Sequence, residues 1–77
     1  DRIRIVEGVE VAAFLKEKEP NVIKVSFRAK SYADVNRVAS ALGGGGHEKA
    51  SGATLNCSLE EATKLVKQEI EKELSRF

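Results

Sequence analysis

Apolar side chains alternate from residue 9 to residue 16. Val9, Val11, Ala13 and Leu15 share one face of a predicted strand, and Phe14 lies on the other, so both faces are partly covered. Residues 3–6 alternate weakly, as a short strand or the tail of a linker. Residues 17–21, Glu-Lys-Glu-Pro-Asn, predict a turn, because Pro20 fixes its own φ and disfavours helix in the residue before it. Residues 22–30 predict a second strand. Val25, Phe27 and Ala29 face the core, and Ser26, Arg28 and Lys30 face away. Two strands joined by a short turn predict an antiparallel hairpin.

The period then changes. Val35, Val38, Ala39 and Leu42 fall at helical spacing on one stripe, with Ser31 or Asp34 as the N-cap and Gly43 as the left-handed residue that ends the helix. Residues 52–56 predict a third strand. Ser58-Leu59-Glu60-Glu61 forms a capping box, with Ser58 at the N-cap and Glu61 three residues on. The helix it opens carries Leu59, Ala62, Val66, Ile70 and Leu74 on its buried stripe, with Glu60 and Lys64 as an ion pair on the exposed side. The fold class is α/β (α+β): a small mixed sheet of about four to five strands with two main helices packed on it.

Composition narrows the function classes. The chain has 77 residues, 42% hydrophobic and 32% charged, the profile of one small soluble domain. A net charge of +1 gives no global field for nucleic acid, so any anion site must be local. No apolar run approaches the roughly 20 residues of a membrane span. Cys57 has no partner for an internal disulfide and fits a reducing, cytoplasmic setting; it reads as a small half-buried apolar residue rather than an activated thiolate. One Cys, one His and two Asp, Asp1 and Asp34, do not supply an ordinary zinc or two-metal site. The chain has no methionine and opens on Asp1, which reads as a piece of something longer.

Against this background the run Gly43-Gly44-Gly45-Gly46-His47 stands out. Each glycine costs about 0.5–1 kcal/mol relative to alanine in lost backbone freedom. A helix-to-strand connection needs one or two glycines, and four predict a functional loop. Successive N–H groups without β-carbons can form a concavity for phosphate. The run is not a Walker loop, since neither Gly43 nor Gly44 is followed at the required spacing by Gly-Lys, and it is not a dinucleotide fingerprint, since it follows a helix and its third glycine would fall on Glu48 or Lys49. It does satisfy the GXXG pattern of a KH-like RNA-binding module, but such a loop leads into an apolar-striped helix, and here His-Glu-Lys-Ala-Ser-Gly follows.

Other candidates gather around the run. His47 can donate to a phosphate at the loop's exit, although a lone histidine is more often an ordinary surface residue. Ser26 and Arg28 share a strand face, where a guanidinium fork suits a phosphate better than a lysine does; the plain alternative is a solvated strand face. Arg37 and Lys49 can add charge, although each is more simply a surface residue. Tyr32 can stack on a base, but aromatics are 5% of the chain, too few for a broad stacking platform.

Taken together, Ser26-Phe27-Arg28, Asp34-Val35-Asn36, the glycine run with His47, and Ala50-Ser51-Gly52-Ala53 resemble the DHH-associated domain of the DHH phosphoesterases. The likeness is strongest to the bacterial nano-RNases, oligoribonucleases that are also phosphatases of phosphoadenosine phosphate. It runs from about Val9 to the last helix. Ala29, where relatives often carry Ser, and Ser51, where Ala is common, depart from the pattern. The resemblance implies that residues 1–77 are a C-terminal substrate-binding domain whose partner is an N-terminal catalytic DHH domain of the same polypeptide, holding two divalent metals, manganese by expectation. Arg28 and His47 would then grip the phosphate of a nucleotide or short single-stranded RNA, and Gly43, Gly44, Gly45 and Gly46 would let it lie against backbone. Ser26 and Lys49 are secondary contacts, and no catalytic or metal-binding residue is expected in this chain. The same domain in a cyclic dinucleotide phosphodiesterase or an exopolyphosphatase-like relative is the alternative. A homodimer is left open.

Overall fold

The computed structural model describes residues 2–77; Asp1 lies outside them. Five strands, Arg2–Glu7 (β1), Val11–Glu19 (β2), Val22–Ala29 (β3), Gly45–Gly46 (β4) and Ala50–Leu55 (β5), form one sheet in the order β1-β2-β3-β5-β4. Two helices, Val35–Ala41 (α1) and Leu59–Leu74 (α2), accompany it. The α+β class and the strand number agree with the sequence. Every pairing is antiparallel, so the sheet is not mixed.

The pleat sorts side chains between two faces. Val11, Ala13 and Leu15 of β2, Ile23, Val25 and Phe27 of β3, and Ala53 and Leu55 of β5 are buried in one core with Val35, Val38 and Ala39 of α1 and Leu59, Ala62, Val66 and Ile70 of α2. Phe27, Leu15 and Ile23 are fully buried, and each contributes about 1.5–3 kcal/mol through burial. Both helices therefore lie on one face, and the other is open. Val9 corrects the predicted strand: it is 91% exposed, because the Gly8 N–H bonds the Val11 carbonyl at 3.0 Å and the strand begins only after that turn. The β2–β3 hairpin is tighter than predicted. Glu19 faces Val22, so Pro20 and Asn21 alone make the turn, and an irregularity between Glu17 and Glu19 absorbs an extra residue. Asn21 takes φ 63°, a left-handed conformation that asparagine tolerates better than most residues.

The helix caps are specific. Asp34, not Ser31, caps α1, accepting from the N–H groups of Asn36 at 3.0 Å and Arg37 at 3.2 Å. Ser58 caps α2, accepting from the N–H of Glu61 at 3.1 Å. Glu60 does not pair along its helix with Lys64; it takes the guanidinium of Arg2 at 2.6 Å, tying α2 to the edge strand. Near the other end of α2, the almost fully buried Glu73 accepts the Asp34 N–H at 2.9 Å and meets Arg37 and Arg76 at 3.0 and 3.2 Å. That carboxylate fastens the two helices together. Among the described residues, no helix is long and apolar enough to cross a membrane.

Candidate functional site

The glycine run is first a structural joint. Leu42 is the C-cap of α1, the Gly43 N–H bonds the Ser40 carbonyl at 3.1 Å, and the Gly44 N–H reaches back to the Ala39 carbonyl at 2.8 Å. This is a Schellman ending, and it requires the left-handed φ of 86° at Gly43. The chain then runs hard against β5. A β-carbon on Gly44 would meet the Gly52 carbonyl oxygen at 2.1 Å, and one on Gly46, where φ is 148°, would meet the Ser51 Cα at 2.8 Å. Gly43 and Gly45 have room for a β-carbon, but only Gly45 also lacks a positive φ, its nearest contact being Asn36 Oδ1 at 3.7 Å. The connection itself thus demands three of the four glycines.

The same contacts revise the expected use of the backbone donors. The N–H of Gly46 is held by Asn36 Oδ1 at 2.9 Å, and that of His47 by the Ala50 carbonyl at 2.8 Å. With Gly43 and Gly44 bonded into the helix end, these amides stabilise the joint and do not line an open concavity. What the glycines provide is close approach. They let a two-residue strand lie beside β5 and set His47 in register.

That register brings the candidate side chains together. Ala50 donates back to the His47 carbonyl at 3.3 Å, so His47 and Ala50 close the β4–β5 hairpin over a turn of Glu48 and Lys49. Ala50 also pairs with Arg28 on β3. Arg28, Ala50 and His47 therefore form one cross-strand row, with Arg28 and His47 about 10 Å apart at Cα. In the next row Ser26 pairs with Gly52, and Gly52 with Gly45. Small residues of β5, Ala50 and Gly52, leave a low trough on the open face between the side chains of β3 and the β4 hairpin. The Ser26–Gly52 row also borders a groove of about 440 Å³, lined in addition by Lys24, Val25, Gly43, Gly44, Ala53 and Thr54.

Within this trough, the Arg28 guanidinium and the His47 imidazole make no hydrogen bond or ion pair among the described residues, and both are exposed. They are available to a ligand. Lys49 is less so, because its Nζ donates to the Ser31 carbonyl. Tyr32 packs edge-on against Phe77, with ring centroids 4.9 Å apart, on the segment between β3 and α1. Cys57 is half-buried, and burial, followed by the nearby Glu61 carboxylate, raises its thiol pKa, which argues against a reactive thiolate.

Three residues to which the sequence assigned no positioning role hold the site in place. Asn36 tethers Gly46 to α1. Ser51 Oγ donates to the Val35 carbonyl at 2.6 Å, holding β5 to the same helix. Glu10, 7% exposed, holds the segment between β3 and α1: its carboxylate accepts from the N–H groups of Ser31, Tyr32 and Ala33 at 2.9, 2.7 and 2.8 Å, and from the Ser31 hydroxyl. Burial pushes this carboxyl up, and the N–H donors of Ala33 and Ser31, the Ser31 hydroxyl and the Tyr32 N–H outweigh it, leaving its pKa lowered to about 2. A carboxylate with nothing acidic or basic beside it in sequence gives no such signal.

The loop leads into a strand and not into a helix, which removes the KH-like reading. Among the described residues, no group of three or more His, Cys, Asp or Glu can hold a metal ion.

The site thus combines a small antiparallel sheet carrying both helices on one face, a glycine joint at the end of α1, and the Arg28–Ala50–His47 row on the open face. The chain belongs to the DHHA1 domain family, whose pattern matches residues 1–72. It is 43% identical over 75 residues to the bifunctional oligoribonuclease and PAP phosphatase NrnA of Thermus thermophilus. That alignment covers 96% of this chain and 23% of the relative, so the chain spans about a quarter of the relative's length.

Proposed function

We propose that this chain is the substrate-binding domain of a metal-dependent phosphoesterase that hydrolyses short oligoribonucleotides and phosphoadenosine phosphate. The observation that carries the reading is the row Arg28–Ala50–His47, two unengaged side chains of types suited to phosphate placed in one row across one small residue. The 43% identity to an oligoribonuclease and PAP phosphatase supports the choice of substrate.

The Arg28 fork binds two phosphate oxygens, and His47 donates to the same group from the far side of the trough. Ser26 adds a hydroxyl one row away, and Lys49 adds positive charge at the hairpin turn. Ala50 and the glycines keep the floor low enough for a sugar or base to approach the backbone. A catalytic DHH domain of the same polypeptide would supply two divalent metals, manganese by family expectation, to activate water and stabilise the charge of phosphoryl transfer. The described residues do not fit a metal site, and no catalytic step is assigned to them. Their contribution is orientation and charge neutralisation. Titration with phosphoadenosine phosphate tests the reading: Arg28→Ala must lose most of the affinity, and unchanged affinity overturns it.

A further inference from the structure

The groove that borders the Ser26–Gly52 row, one row from Arg28, is lined at its other end by a cation, Lys24. Lys24 stands four residues before Arg28 on β3, on the same open face, and therefore about 13 Å along the strand. Its register partners are Thr54 on β5 and Lys16 on β2, so a hydroxyl and a second lysine share its row. The Lys24 ammonium is exposed and makes no hydrogen bond or ion pair among the described residues. Between the Lys24 and Arg28 rows lies Ser26, paired with Gly52, so nothing bulky on β5 interrupts the path. Lys24, Ser26 and Thr54 give the groove a cation and two hydroxyls beside Val25 and Ala53, a mixed lining that can accommodate a sugar–phosphate chain.

We infer that Lys24 and Thr54 form a second phosphate subsite, engaged by an oligonucleotide that also reaches the Arg28–His47 row and left empty by a ligand that carries its phosphates on one nucleoside. The inference rests on the proposed phosphate role of Arg28 and His47 and adds a determinant of substrate length. Two cationic anchors about 13 Å apart on one strand require phosphates separated along a chain. Lys24 acts as a point charge with rotatable donors, which tolerates the varied geometry of a flexible single strand, whereas the Arg28 fork fixes the terminal phosphate. Each phosphate held this way adds to the salt dependence of binding.

The test compares two ligands, phosphoadenosine phosphate and the trinucleotide pApApA, titrated into the chain and into its Lys24→Gln, Thr54→Val and Arg28→Ala variants, with backbone amide shifts as the readout. The trinucleotide is expected to move the amides of Lys24 and Thr54 as well as those of Arg28 and His47; phosphoadenosine phosphate moves only the latter pair. Lys24→Gln weakens trinucleotide binding by roughly fivefold and makes it less sensitive to salt, while leaving phosphoadenosine phosphate unchanged. Equal loss for both ligands in Lys24→Gln, or still amides at Lys24 and Thr54 when trinucleotide binds, overturns the second subsite alone. Silence of Arg28 and His47 toward both ligands overturns the underlying phosphate reading, and the subsite with it.

Discussion

Gly44 lies so close to Gly52 that a single added β-carbon would sit 2.1 Å from the Gly52 carbonyl oxygen. That contact locks the end of α1 to β5 and sets where β4 begins. Gly44→Ala must push the two backbones apart, and we expect it to destabilise the fold by about 3 kcal/mol, the upper range for overpacking. Gly43→Ala meets nothing within 4 Å and bears only the strain of its left-handed φ, about 1–2 kcal/mol. Urea unfolding of the two variants checks the order; equal losses would show that the joint yields more readily than its geometry implies.

Asn36 gives a cleaner separation of site from fold. Its side-chain oxygen holds the Gly46 N–H at 2.9 Å, from a half-buried position at the start of α1. Asn36→Ala should leave the core intact, cost about 1 kcal/mol and speed hydrogen exchange at Gly46 and His47 far more than at Val25 or Phe27. Uniform acceleration across the sheet would mean that the tether supports the whole fold.

Much of the fold is legible in the residues. The alternation around Ala13 and Leu15, the stripe on Leu59, Ala62, Val66 and Ile70, and the Ser58 cap are local patterns, and local patterns survive folding. Val9 fails because burial depends on where the strand starts, which the Gly8–Val11 turn decides. The Glu60–Lys64 pair fails because a residue distant in sequence, Arg2, offers Glu60 a better partner. Arg28 and His47 stand out singly as residue types. Their common row is invisible in sequence, since it depends on two registers, β3 with β5 and the β4–β5 hairpin. The glycine run is misleading in one respect. Composition advertises free N–H groups, but the Schellman ending and the Asn36 tether consume them.

Glu10 makes stability depend on acid. Its carboxyl has a folded-state pKa of about 2 against an ordinary 4.5, so the unfolded chain binds a proton more readily than the folded one. The stabilisation is fully present above about pH 4.5 and is lost as pH falls through that value toward 2. Thermal unfolding across this window should show Tm falling with acid. Glu10→Gln should lower Tm at neutral pH and flatten the fall, and an unflattened curve would assign the acid sensitivity to other carboxylates.

The most direct measurement of the central claim is a double-mutant cycle on phosphoadenosine phosphate binding, using the wild-type chain, Arg28→Ala, His47→Ala and the pair. If both side chains hold one phosphate across Ala50, each single change weakens binding and the second costs much less once the first is made, with a coupling of about 0.5–3 kcal/mol. Strictly additive losses, or no loss at either position, would contradict a shared phosphate at the Arg28–His47 row.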